Sequence, residues 1–227
     1  LYSTINRRRP IVIELPLAFL PVVLAVVFVS SIIKGTASFG FNLITIPLLL
    51  LFLEPRLAVV LVVPLTLLLD IFNMHSMWRE FQLRRLIPII LAGAIGIPLG
   101  NYVLLIAPEQ ILRLGIASVV LIAAIVMALG FTPRITRPNL TGSGVGFMSG
   151  VLATSTGIGG PPFVLFLMSQ KLGKGEFRSS LASFLLVLNI MTIISFILSG
   201  ALTLKIALTD LVLLPAVILG FLAASRL

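Results

Sequence analysis

Ser30-Ser31-Ile32-Ile33-Lys34-Gly35-Thr36-Ala37-Ser38-Phe39-Gly40-Phe41-Asn42 is the stretch on which the fold turns. On either side lie two charge-free segments of 19 residues, Leu15 to Ile33 and Gly35 to Leu53, with Lys34 alone between them. Each is close to the ~20 apolar residues that span a hydrocarbon core. The small and polar residues at the centre leave backbone groups to satisfy, which a bilayer tolerates only where the break is buried in protein or lines a cavity. A second charge-free stretch, Pro138 to Gln170, has its own polar centre at Thr154-Ser155-Thr156-Gly157-Ile158-Gly159-Gly160-Pro161-Pro162. The pair suggests a repeat.

Composition places the chain in a bilayer. Hydrophobic residues make up 59% of it and charged residues 10%, where a soluble domain has about a quarter charged. A net charge of +9 would point to nucleic acid in a soluble protein, but here the cations sit in short clusters between apolar segments. Arg79, Arg84 and Arg85 form one, Arg134 and Arg137 another, and Lys171, Lys174 and Arg178 a third. Basic loops that set orientation account for this pattern, so the expected surroundings are lipid and the expected partners exclude nucleic acid. There is no cysteine, which removes disulfides, thiolate chemistry and Cys-based metal sites. Arg7-Arg8-Arg9 ahead of an apolar run also fits a signal peptide. The similar stretch at 138–170 is internal, however, and favours structure in both places.

In chain order the expected segments are 15–33, 35–53, 57–78, 86–107 and 111–131, followed by a Pro-rich basic linker and then the stretch to Gln170, 179–202 and 206–225. Glu54-Pro55-Arg56 and Arg79 to Arg85 read as loops, and Trp78 as an interfacial residue. Gly96 and Gly100, and Gly142, Gly146 and Gly150, lie four apart and permit close helix approach. This divides the chain into a first transmembrane repeat over 1–132, a linker over 133–138 and a second repeat over 139–227. The second repeat lacks a counterpart of 111–131, which fits an incomplete chain.

Placing Gly40 opposite Gly159 sets an offset of 119, and with it Asp70 falls on Asn189. Two separated polar features then agree. The expected fold class is all-α, a polytopic membrane protein of two homologous helical repeats with interrupted or hairpin helices. If each interrupted pair folds back, each unit contains an odd number of crossings and the repeats are inverted. Tallies of Lys and Arg on the two sides do not separate this from a single crossing. Paired interrupted segments in corresponding positions favour the fold-back, as in inverted-repeat transporters.

Gly159-Gly160 followed by Pro161-Pro162 reads as a helix start. A helix starting within the membrane directs free N–H groups and a partial positive charge at what precedes it, so an anion is the natural ligand. Thr154, Ser155 and Thr156 offer hydroxyl donors, with Ser38, Gly40 and Asn42 as matching elements and Gly157, Gly159 and Gly160 supplying backbone. Two readings stay open for Lys34, an intramembrane site cation and a turn residue that snorkels to the headgroups. Asp70 is a candidate proton or cation site, or a partner for Lys34 or His75. No second His or Cys makes a metal site, and no cofactor is expected.

Lys34 to Asn42 with Ile46-Pro47-Leu48-Leu49, then Gly150 with Thr156 to Pro162 and Glu176-Phe177-Arg178, resembles the sulfite exporter TauE/SafE family of membrane permeases. The likeness runs from about residue 20 to the end. It implies a multi-pass protein of the cell membrane, of bacterial inner-membrane type, that carries a small sulfur oxyanion such as sulfite, thiosulfate or an organosulfonate. The implied substrate site is formed by the two repeated motifs, with Lys34 among its residues, while Asp70, Asn189 and Arg178 are candidates for coupling or gating. The first motif departs from a Gly-rich pattern in flanking Gly40 with Phe39 and Phe41. The alternatives are a transporter of another small organic anion and a non-transporting membrane assembly subunit. An intramembrane hydrolase is disfavoured because the single histidine, His75, has no serine partner in a defined motif.

Overall fold

The computed structural model describes residues 19–77, 83–130, 138–170 and 172–226. Among these the chain is helical: α1 (Leu20–Ala37), α2 (Phe41–Leu49), α3 (Pro55–Met77), α4 (Leu83–Ile106), α5 (Glu109–Ala128), α6 (Pro138–Ser155), α7 (Gly160–Ser169), α8 (Lys174–Leu198) and α9 (Leu204–Ala224). Six of them, α1, α3, α4, α5, α8 and α9, are long and apolar enough to cross a membrane. Leu114, Leu121 and Ile122 of α5 are among many large apolar side chains left exposed. That suits contact with lipid and not with water. At 1.5 Å per residue α2 and α7 reach only about half of the ~30 Å hydrocarbon core.

Both short helices fold back on the helix before them. The rings of Phe19, at the head of α1, and Phe52, just beyond α2, lie 4.9 Å apart, so the two ends of the α1–α2 pair meet. In the other pair a Cβ at Gly142 of α6 would lie 3.2 Å from Cζ of Phe166 of α7. The far end of α2 is tied down by Arg113 of α5, whose guanidinium donates to the carbonyls of Leu50 and Leu53. Both carbonyls lie just beyond Leu49, where α2 ends.

Long-range packing joins α4 to α6 and α1 to α9, with α3 against α8 between them. Small residues set the first contact. A Cβ at Gly146 would lie 2.1 Å from the Ile89 carbonyl oxygen, one at Gly150 2.1 Å from that of Gly93, and one at Gly96 2.3 Å from that of Phe147. The two glycine stripes therefore face each other and bring the backbones of α4 and α6 together. Gly220 of α9 does the same for α1, where its Cβ would meet the Phe28 carbonyl oxygen at 2.5 Å. Shifted by 119, the bounds of α1 to α4 become 139–156, 160–168, 174–196 and 202–225, each within two residues of the bounds of α6 to α9.

Several expected boundaries move. Lys34 lies within α1, not between two segments, and the chain turns at Ser38–Gly40. Gly35 does not end the helix, because its role is contact: a Cβ there would fall 2.5 Å from that of Ala224. The helix expected over 179–202 begins earlier, at Lys174, and Arg84 and Arg85 belong to α4 and not to a loop. Trp78, Arg79, Arg134, Arg137 and Lys171 lie outside the described residues.

Candidate functional site

The two turns are built alike at one residue and differently at the next. Ser38 ends α1 in the left-handed region, φ 64°, and its N–H bonds the Lys34 carbonyl at 2.8 Å. Gly157, 119 residues later, has φ 73°. Gly40 is also left-handed at φ 100°, whereas Gly159, at φ −86°, is a glycine for want of space. A Cβ at Gly159 would meet the Ala153 Cβ and the Ser149 carbonyl oxygen, each at 2.7 Å.

The turns face each other across a cavity of about 40 Å³, large enough for more than one water. Lys34, Phe39, Gly40, Phe41, Asn42 and Leu43 line it from the first hairpin, and Ala153, Gly157, Ile158, Gly159, Gly160 and Pro161 from the second. Thr66 of α3 and Leu185, Leu188 and Asn189 of α8 complete the wall. The amino ends of α2 and α7 thus both open on this space, and neither has a side-chain cap. Uncapped first-turn N–H groups carry the positive end of the helix dipole, roughly half a charge each.

Lys34 supplies a full charge. Its Nζ lies 2.6 Å from Oδ1 of Asp70, and the two side chains are 2% and 1% exposed. Nδ2 of Asn189 donates to the other carboxylate oxygen, Oδ2, at 2.6 Å. A buried cation is tolerable when paired and hydrogen-bonded, and this arrangement rules out snorkelling to the surface. Asp70 stands behind Lys34 and Asn189 and is not itself in the cavity wall. Asn42 straps the two turns together, since its amide donates to the Gly157 carbonyl and its Oδ1 accepts from the Thr66 hydroxyl.

Other expected site residues are turned elsewhere. The Thr154 hydroxyl is directed at the carbonyls of Gly150 (2.9 Å) and Ile97 (3.1 Å). Ser155 donates to Val151 and Thr156 to Leu152, each at 2.7 Å. All three hydroxyls satisfy carbonyls one turn back, as Ser and Thr commonly do in helices, and none lines the cavity. Ser38 is buried beside it and accepts from Nε of Arg178 at 3.3 Å. His75 is exposed near the end of α3. Among the described residues no cluster of His, Asp or Glu could hold a metal ion.

Two residues escaped the sequence reading. Thr66 was signalled only as a polar residue in an apolar helix. Asp210 is the one acid of α9; it is buried, and neither carboxylate oxygen has a hydrogen-bond partner among the described residues. A carboxylate in the middle of an apolar segment is itself a signal.

Two broken-helix hairpins, opposed across a cavity lined by the lysine of a buried ion pair within a set of long apolar helices, define a multi-pass membrane protein. The family model described as Sulfite exporter TauE/SafE matches residues 23–227, and the chain belongs to that family. Membership implies a membrane permease for sulfite-type anions. No curated protein and no solved structure matches the chain.

Proposed function

We propose that the chain is a secondary transporter of a small sulfur oxyanion of the sulfite, thiosulfate or organosulfonate type. The anion binds between the two broken hairpins and moves by alternating access of two inverted, homologous units. The observation that carries this reading is the convergence of two uncapped helix amino ends and the Lys34 ammonium on one cavity. Helix ends of this kind recognise oxyanions through backbone N–H groups. In transporters, half-helix amino ends near the midplane perform that task. The near coincidence of helix bounds under a shift of 119 residues supports the duplication, and the fold-back of both short helices supports inversion.

Within this reading Lys34, Gly40, Gly157, Gly159 and Gly160 contact the anion, and Asn42 holds the turns in register. The apolar wall of Phe39, Phe41, Leu185 and Leu188 suits an anion with a small apolar group, and so an organosulfonate as well as an inorganic ion. Alternating access needs no nucleotide, and an ion gradient or simple downhill flow supplies the energy. Flux of radiolabelled sulfite and thiosulfate into proteoliposomes tests the proposal. It should fall at least tenfold in Lys34→Ala and Gly159→Leu; undiminished flux in both variants would place the site elsewhere.

An assembly subunit would be expected to hold its partner along the Gly142, Gly146 and Gly150 face. That face is occupied by α4. Transport is therefore the better-supported role.

A further inference from the structure

The Lys34–Asp70 pair presents a difficulty for an anion carrier. The ammonium that should attract the anion is already neutralised at 2.6 Å by a carboxylate. An anion arriving in the cavity meets a neutral pair with the negative partner just behind it. In a medium of low dielectric the repulsion from that carboxylate offsets much of the ammonium's attraction. A proton on Asp70 removes the repulsion and leaves the Lys34 charge to the anion.

We propose that Asp70 is a proton site linked to the anion site through Lys34, so that the protein carries a proton with each anion. The inference rests on the anion reading given above. Charge accounts for the linkage. The empty site holds Lys34 and Asp70 ionised and is neutral. Loaded with a monovalent anion and one proton, it holds cationic Lys34, neutral Asp70 and the anion, and is neutral again. Loaded with the anion alone it bears one more negative charge than the empty site, left to the partial charges of the two helix ends, and a buried charge is costly unless paired. The proton comes from the water on the loading side and bonds to a carboxylate oxygen, and no other bond changes. Asn189 suits both states, because its amide donates to the ionised carboxylate and its oxygen can accept from the protonated one.

No other charge described near Asp70 competes for this role. On α1 the only charged side chain is Lys34, and α2 has none. Glu109 and Arg113 of α5 pair with each other at 2.8 Å. Lys174 and Glu176 lie in the first turn of α8, more than ten residues before Asn189, and Arg178, which reaches Ser38 one turn beyond Lys34, carries the same charge in both states. On α9, Lys205 is exposed, and Asp210, the second buried acid, lies about 21 Å along the helix from Ala224, which packs on Gly35 beside Lys34. On α3 itself, Arg56 donates to the Ala107 carbonyl and His75 is exposed.

Linkage is reciprocal: if the proton tightens the anion by some factor, the anion tightens the proton equally. The test uses the full chain in proteoliposomes with ethanesulfonate and methanesulfonate, monovalent anions whose own charge is constant between about pH 5.5 and about pH 8. The wild type should bind ethanesulfonate about tenfold or more tightly at the lower pH, within the usual range of coupling between sites. A trapped pH dye should report proton movement with the anion. Asp70→Asn, which fixes the neutral form, should bind equally well at both pH values and move no protons. Equal wild-type affinity at both pH values, or anion uptake without proton movement, overturns the coupling while leaving the anion site standing. Absence of binding of either anion at either pH overturns both. If Asp70→Asn fails to fold, the wild-type dye signal decides.

Discussion

Asp70 and Asn189, 119 residues apart, join α3 to α8 through a hydrogen bond of 2.6 Å from the amide to Oδ2. The bond is buried, and its acceptor is the carboxylate that also holds Lys34. A hydrogen bond to a charged group contributes about 1.5–3 kcal/mol. Asn189→Leu should destabilise the protein by about that amount, read as a lower melting temperature in detergent. Asn189→Asp should be worse at neutral pH, because it sets a second carboxylate against the first. A melting temperature of Asn189→Asp equal to that of wild type would show that the α3–α8 contact is looser than described.

The ion pair predicts a non-additive cycle. Lys34→Met leaves Asp70 buried without its cation, at a cost of about 3–5 kcal/mol. Lys34→Met with Asp70→Leu removes both charges and should recover most of that loss, since apolar replacement of a whole buried pair is often neutral. Transport should be absent in the double variant even where stability returns. Additive destabilisation in the double variant would mean that the two side chains do not depend on each other.

The two turns respond differently to substitution. Gly157→Ala places a Cβ on a residue at φ 73° and within 2.4 Å of Cδ1 of Ile46. The left-handed backbone alone costs roughly 1–2 kcal/mol for a residue with a Cβ. Ser38→Gly relieves the same strain at φ 64°, gives back part of the gain as chain entropy and loses the long hydrogen bond from Arg178, so its net effect should lie within about 1 kcal/mol of zero. Thermal unfolding of the two variants checks the contrast, and a Ser38→Gly loss as large as that of Gly157→Ala would contradict it.

How far the sequence revealed this arrangement depended on the kind of signal. Length and apolarity made the long helices legible, and the Gly159–Pro162 run marked the start of α7 because proline and glycine act locally. The duplicated polar centres led to both turns and to the Asp70–Asn189 correspondence. The side chains of the sequence-derived site were less legible. Thr154, Ser155 and Thr156 have the right chemistry for an oxyanion, yet at the end of a helix their hydroxyls bond the preceding turn. Lys34 looked like a segment boundary because it is the lone charge between two charge-free runs, whereas the helix continues through it and Gly35 is there for the contact with Ala224. Asn42 has the same chemistry whether it binds a ligand or a carbonyl, and only three-dimensional proximity to Gly157 shows that it straps the turns.

The central claim is that the anion occupies the space between the two turns, and filling that space tests it most directly. Ala153 is 3% exposed and lines the cavity at the position equivalent to Lys34. Uptake of thiosulfate into proteoliposomes should be abolished in Ala153→Leu that elutes as folded protein. It should be retained in Leu121→Phe, a change on the exposed face of α5. Uptake at the wild-type rate in folded Ala153→Leu would contradict the account.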